Sequence, residues 1–203
     1  MNVIKEGAEA KIFKIDFFGF KAVNKLRVSK EYREKTLDCK ILLERLRTEC
    51  SLIHKAKKAG VRTPLIFDIN KKKLSITMEF IKGKTMKEML LENPENSGIF
   101  CAEAGKIISK LHCFGIIHGD LTTSNFICSS HGLVLSDFGL GYFSKKTEDM
   151  AADLVCFKKS FMSTHYNLVE NWFLIEKEYE KFFPMAKEVF NRMKNIEARA
   201  RYY

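Results

Sequence analysis

The stretch His118-Gly119-Asp120-Leu121-Thr122-Thr123-Ser124-Asn125, followed by Asp137-Phe138-Gly139, constrains this chain more than any other feature. An aspartate, an asparagine five positions on and a second aspartate near the end of the second of two short apolar runs supply three oxygen-bearing side chains from one local unit. The apolar runs, Phe126 to Cys128 and Leu133 to Phe138, are bounded by polar turns and read as a hairpin, which lets the flanking residues converge. Magnesium takes hard oxygens, usually one or two from the protein with phosphate oxygens and water completing the shell. Asn125 and Asp137 are the candidate ligands, and Asp120 can orient or deprotonate an attacking hydroxyl or a water. Either Asp120 or Asn125 alone would serve as well as a turn cap or a local Asx bond. Their joint spacing points to phosphoryl chemistry.

The first stretch of the chain, up to Phe80, supplies a frame for that chemistry. Alternating apolar residues around Gly7 and around Phe18-Gly19-Phe20 predict an antiparallel hairpin feeding a third strand that ends near Lys25. From Ser29 to Ala59 the period changes, with Leu42, Leu46, Cys50, Ile53 and Ala56 at helical spacing and Gly60 as the stop. Two further extended runs flank the polar turn Asn70 to Lys73. Beyond Gly83 the pattern is mostly helical: a short helix over Thr85 to Leu91, and a longer one over Ile99 to Phe114 with Ala102, Ile107, Ile108 and Leu111 on its apolar face. Helices rich in Lys and Glu follow from Glu148. The expected fold is α+β in two lobes, residues 1–82 and 83–203.

A lysine that holds the α and β phosphates needs a carboxylate from a neighbouring element to fix its flexible stem. Lys25, with Asn24 pointing to the opposite face, and Glu49 on the following helix fill those roles; the alternative is a surface salt bridge. In the first hairpin turn, Gly7, Ala8, Glu9 and Ala10 let backbone N–H groups approach phosphate oxygens, although a plain turn would need only Gly7.

The 203 residues carry a formal charge of +10, concentrated at Lys21 to Lys35, Lys55 to Lys58, Lys71 to Lys73 and Arg192 to Arg201. Such clusters favour phosphate-bearing or acidic partners, or are simply a solvated basic face. No apolar run approaches the roughly 20 residues of a membrane span, and the first residues lack a signal-peptide pattern, so no membrane partner is expected. The expected location is the cytoplasm, with the nucleus also open. Six cysteines form no CxxC pair and read as reduced thiols, with the adjacent His112 and Cys113 as buried or half-buried core residues.

With these residues in place, the chain resembles the small atypical kinase of the KEOPS (EKC) complex, PRPK-like and related to the RIO kinases. The resemblance rests on the turn Gly7 to Ala10, Lys25-x-Arg27-x-x-Lys30-x-Tyr32-Arg33, and Glu49 with the helix-ending Ala56 to Gly60. It continues through Met78 to Gly83, His118 to Asn125, Asp137 to Leu140, Glu148-Asp149, Asp153-Leu154 and Phe161 to His165. It implies a reduced kinase fold that uses ATP and Mg2+, with serine/threonine self-phosphorylation or weak ATPase activity. It also implies a part in making threonylcarbamoyladenosine in tRNA. The implied partners are the sugar-kinase-like threonylcarbamoyl-transferase subunit, other small KEOPS subunits through the N-lobe, and tRNA, direct or through the complex. By kinase analogy the Glu79 carbonyl and the Ile81 N–H hold the adenine edge beside Met78, with Ile4, Ile12, Val23 and Ile127 around the ring; the four apolar residues read equally as ordinary core.

Some features depart from a signalling kinase. Nine residues separate Gly139 from Asp149, too few for an activation segment that seats peptide substrates, and Gly119 stands where an arginine would grip a phosphorylated loop. The C-terminal Glu197 to Tyr203 keeps two arginines where the family has a strongly basic tail, so it reads as a tRNA or partner contact or as a fraying helix end. A RIO-like ribosome-maturation kinase, a small-molecule phosphotransferase and a non-catalytic nucleotide-binding scaffold stay open as alternatives. The first usually carries extra N-terminal elements, and the second needs more than the roughly 65 residues that follow Asp137.

Overall fold

A computed structural model describes residues 2–7, 9–30 and 32–199. Ala8 and the terminal residues 200–203 therefore lie outside the described residues, as does part of the candidate tail. Two compact units emerge: residues 1–51 with 64–82, and residues 52–63 with 83–203.

The first unit is a five-stranded antiparallel sheet in the order β1-β2-β3-β5-β4 with most of one long helix. The strands are β1 (Asn2–Glu6), β2 (Ala10–Phe17), β3 (Phe20–Arg27), β4 (Ile66–Asn70) and β5 (Ser75–Glu79). Phe17 pairs with Phe20, leaving Phe18 and Gly19 as a two-residue loop with φ of 52° and 84°. Two positive values match the right-handed twist of the flanking strands. Helix α1 (Lys35–Lys58) begins six residues later than its Ser29 cue predicts. Asp38 is the reason: its buried carboxylate accepts from Ser29 Oγ at 2.6 Å, Lys30 N at 3.2 Å and Arg33 Nη1 at 3.2 Å, drawing the preceding segment into a loop. The N-cap role falls to Glu34, whose carboxylate accepts the N–H groups of Thr36 and Leu37. Leu46, Ile76 and Met78 form the core of this unit, with Val23, Cys50, Ile66 and Leu74 packed against it.

The second unit holds β6 (Lys84–Thr85), α2 (Met86–Glu92), α3 (Ser97–Cys113), β7 (Ile116–Ile117), β8 (Phe126–Ser129), β9 (Gly132–Leu135) and β10 (Tyr142–Phe143). Helices α4 (Thr147–Thr164), α5 (Trp172–Phe182) and α6 (Ala186–Arg199) follow. Thr85 and Glu88 close a reciprocal capping box on α2. Strands β8 and β9 form the expected hairpin, with β6 on the far side of β8. The core is aromatic: Phe157 of α4 meets Phe126 and Trp172 at 5.7 Å between centroids. On α3 the buried face runs through Cys101, Ala104, Ile108 and Leu111, with Ala102 only half-buried. His112 is buried as expected, but Cys113 is exposed, since it lies one position round the helix at the C-terminal turn. Among the described residues no helix is long and apolar enough to cross a membrane.

Candidate active site

In the first unit, strand alternation turns Lys25 and Arg27 to one face and Asn24 to the other, where its amide donates to Thr77 Oγ1 at 3.0 Å. Lys25 Nζ donates to Glu49 Oε1 at 2.6 Å, and the Arg27 guanidinium takes Glu49 Oε2. All three residues are buried, Glu49 to 1% exposure and Lys25 to 7%, so this is no surface salt bridge. Removing one partner of such a buried pair generally costs about 3–5 kcal/mol, because the other charge is left uncompensated.

The turn between β1 and β2 closes through Gly7 N to Ala10 O at 3.0 Å, and Glu9 O accepts Val28 N at 3.1 Å. The Glu9 carboxylate is paired with Arg45 of α1, whose hydrogen bond holds its pKa below the ordinary glutamate value. What the turn offers a ligand is thus its backbone. Ile4 is 51% exposed, while Ile12 and Val23 are half-buried, which leaves part of each accessible. Met78 belongs to the core cluster; Glu79 ends β5 opposite Ala22, and half-buried Ile81 follows it.

In the second unit the loop between β7 and β8 brings Asp120 and Asn125 together. Asn125 Nδ2 donates to the Asp120 carbonyl at 2.8 Å and to Asp120 Oδ2 at 3.1 Å, while Asn125 N closes a turn on Thr122 O. This orientation fixes the Asp120 side chain and leaves the Asn125 amide oxygen as the metal-type donor. Asn125 O in turn accepts both N–H and Oγ–H of Ser136, which ties the loop to the residue before Asp137. Asp137 sits at φ 62°, a left-handed conformation that aspartate tolerates better than most residues. Ile127, in β8, is half-buried.

The loop's shape is set from beneath. Asp153 on α4 is buried and accepts His118 N at 2.8 Å, Gly119 N at 2.9 Å and His112 Nε2 at 3.4 Å. Burial alone would raise its pKa, but the His112 and His118 interactions outweigh that and hold it below the ordinary value. His112 Nδ1 lies 2.8 Å from Tyr179 OH, and in the neutral ring with Nε2–H toward Asp153 it is the acceptor of that hydroxyl. His118 Nε2 lies 3.0 Å from Ser136 O and its Nδ1 accepts Asp120 N, so the Nε2–H tautomer is the one consistent with both contacts. Gly119 has φ 77°, and a Cβ there would come 2.4 Å from Leu140 O. The missing arginine of the sequence motif thus has a local steric cause. Thr123 Oγ1 and buried His165 Nε2 are 3.1 Å apart.

Among the described residues no group of three or more His, Cys, Asp or Glu side chains is placed to hold a metal. The donor set at hand, one amide and one carboxylate, suits a magnesium ion that draws its remaining ligands from phosphates and water. Sequence reasoning assigned no role to Arg27 or Asp153. The signal for Asp153 was available: it occupies the apolar face of a helix between Ala151 and Leu154, where a carboxylate needs partners.

Residues 6–170 match the protein kinase domain. Over its whole length the chain is 36% identical to the KEOPS complex subunit Bud32 of Pyrococcus abyssi, covering 96% of that protein. It is 37% identical to the EKC/KEOPS complex subunit bud32 of Dictyostelium discoideum, across 98% of this chain and 82% of that one. It is also 45% identical, over 99% of its residues, to a probable bifunctional tRNA threonylcarbamoyladenosine biosynthesis protein of Methanococcus maripaludis, of which it spans 36%.

Proposed function

Because the chain belongs to the Bud32 family of protein-kinase-domain proteins, we propose that it is an ATP-dependent phosphotransferase and ATPase serving tRNA threonylcarbamoyladenosine synthesis within a KEOPS-type complex. The observation that carries this reading is the buried Lys25–Glu49 pair at 2.6 Å, a cation held ready on the face of β3. Little else explains burying a lysine in a small domain when an apolar residue would cost less.

In this reading Lys25 neutralises charge on the α and β phosphates, and Glu49 fixes its stem. The turn between β1 and β2 contributes backbone N–H groups from Glu9, Ala10 and Ala8, the last outside the described residues, while Gly7, whose own N–H closes the turn on Ala10 O, allows the close approach. Ile4, Ile12, Val23 and Ile127 border the base, with Met78 behind it and the main chain of Glu79 and Ile81 along its edge. Asn125 and Asp137 hold Mg2+, which when bound supplies charge neutralisation at the β and γ phosphates. Asp120 receives the proton of the attacking oxygen, either water or a serine or threonine hydroxyl of the chain itself. The exposed basic clusters at Lys55, Lys58 and Lys71 to Lys73 suit tRNA phosphates. The threonylcarbamoyl-transferase subunit is the direct partner, other small subunits contact the sheet-bearing unit, and the assembly works in the cytoplasm or nucleus.

The test is ATP hydrolysis by the chain mixed with that transferase subunit and tRNA. We expect tRNA to stimulate turnover at low salt, and the stimulation to fade as salt rises because phosphate neutralisation releases counterions. A rate indifferent to tRNA at low salt would count against the assignment.

A further inference from the structure

The buried carboxylate of Glu49 has two cationic partners where the proposed lysine role requires one. Lys25 takes Oε1, and Arg27, two residues along the same strand face, takes Oε2. The Arg27 side chain is 2% exposed, and its Nη2 also donates to the Arg45 carbonyl at 3.3 Å, one turn before Glu49 on α1. One guanidinium therefore grips the helix twice, by a side chain and by the backbone. Among the described residues its Nε is buried without a hydrogen-bond partner. Leaving that N–H unsatisfied is unfavourable, so filling space does not explain the residue; an aliphatic side chain would fill the same volume without it.

The arrangement bears on what Lys25 can do. A lysine that alone neutralised Glu49 could lend its ammonium to phosphate only by loosening its hold on a buried charge. With Oε2 already held by a planar guanidinium, the carboxylate stays paired and fixed while Lys25 divides its donors. We propose that Arg27 is a positioning residue for nucleotide binding: it holds Glu49 and the register of α1 against β3, so that Lys25 can engage phosphate. This inference rests on the nucleotide reading of Lys25 and adds a second, non-interchangeable cation to it.

The test measures the affinity of Mg-ATP for the full chain and for Arg27→Met, Arg27→Lys and Glu49→Gln, each checked for folding by circular dichroism. Arg27→Met is expected to weaken ATP binding about tenfold, equivalent to about 1.4 kcal/mol. Arg27→Lys is expected to recover part of the loss, because an ammonium restores the charge beside Oε2 but lacks the longer, planar guanidinium whose Nη2 also reaches the Arg45 carbonyl. The effects of Arg27→Met and Glu49→Gln on ATP affinity should not add in the double variant, since both act through one carboxylate. A purely structural residue would lower thermal stability and leave the affinity of the folded protein unchanged; that result overturns the inference. If Arg27→Met proves unfolded, Arg27→Lys carries the decision: wild-type ATP affinity in that variant overturns the inference, and an intermediate value supports it. A wild-type chain that fails to bind Mg-ATP defeats the functional proposal and this inference with it, whereas wild-type affinity in the arginine variants defeats the inference alone.

Discussion

Replacing Asp153 by asparagine tests how the loop carrying Asp120 is held. The carboxylate accepts two backbone N–H groups at 2.8 and 2.9 Å from opposite oxygens, and His112 at 3.4 Å. Asparagine keeps the shape and one acceptor, but its NH2 must face a donor, so one bond is lost and a buried N–H is orphaned. A hydrogen bond to a charged group is worth about 1.5–3 kcal/mol, and an orphaned donor costs about 1–3 kcal/mol. Relief from burying a charge offsets part of this, leaving a destabilisation of about 2–4 kcal/mol. For a chain of this size that lowers Tm by roughly 5–15 °C, measurable by circular dichroism at neutral pH, and ATP turnover should fall with it.

The pH dependence adds a second constraint. The folded pKa of Asp153 lies below its ordinary value of 3.8, so its stabilisation is fully present above that value and is lost as pH falls through the folded pKa. The gap between wild type and Asp153→Asn should therefore hold down to about pH 4 and close in stronger acid. A variant that melts within about 2 °C of wild type at neutral pH would refute the anchoring role.

Three further outcomes follow from the same geometry. Gly119→Ala must place a methyl group 2.4 Å from Leu140 O at a positive φ, so a loss of about 2 kcal/mol or more is expected in urea unfolding; wild-type stability would show that the loop yields freely. His165 is held below its ordinary pKa of 6.5 by burial, so its contribution is present above that pH and is lost as pH falls; Thr123→Val should further destabilise the protein by about 1–3 kcal/mol, and an unchanged midpoint would argue against the Thr123–His165 contact. In thiol labelling of the folded protein, exposed Cys39 should react first and Cys101, whose pKa burial pushes up to about 12, last; equal rates would contradict the packing of α3.

The parts legible in sequence were those whose cause is local. Asp120 and Asn125 meet because five residues close one turn, and the β8–β9 hairpin follows from two short apolar runs with a polar turn between them. Lys25 could be matched to Glu49 because a strand and the next helix leave few alternatives for a buried ammonium. Helix α1 starts later than the change of period at Ser29 because the Ser29 hydroxyl is claimed by Asp38 nine positions later. Glu34 caps instead, and glutamate is a poor cue for that role. Arg27 and Asp153 stayed unassigned for a related reason. Their partners lie 22 and 35 positions away, and nothing in a local pattern shows which buried polar groups will be close enough to need them.

The most direct test of the account compares Mg2+-dependent ATP turnover by the wild-type chain with that of Asp120→Asn and Asp137→Asn, in the presence of the transferase subunit and tRNA. The account predicts turnover in the wild type that falls by at least about a hundredfold in each variant, with both variants folded. Turnover that survives both substitutions unchanged would make these residues bystanders and the chain a nucleotide-binding scaffold.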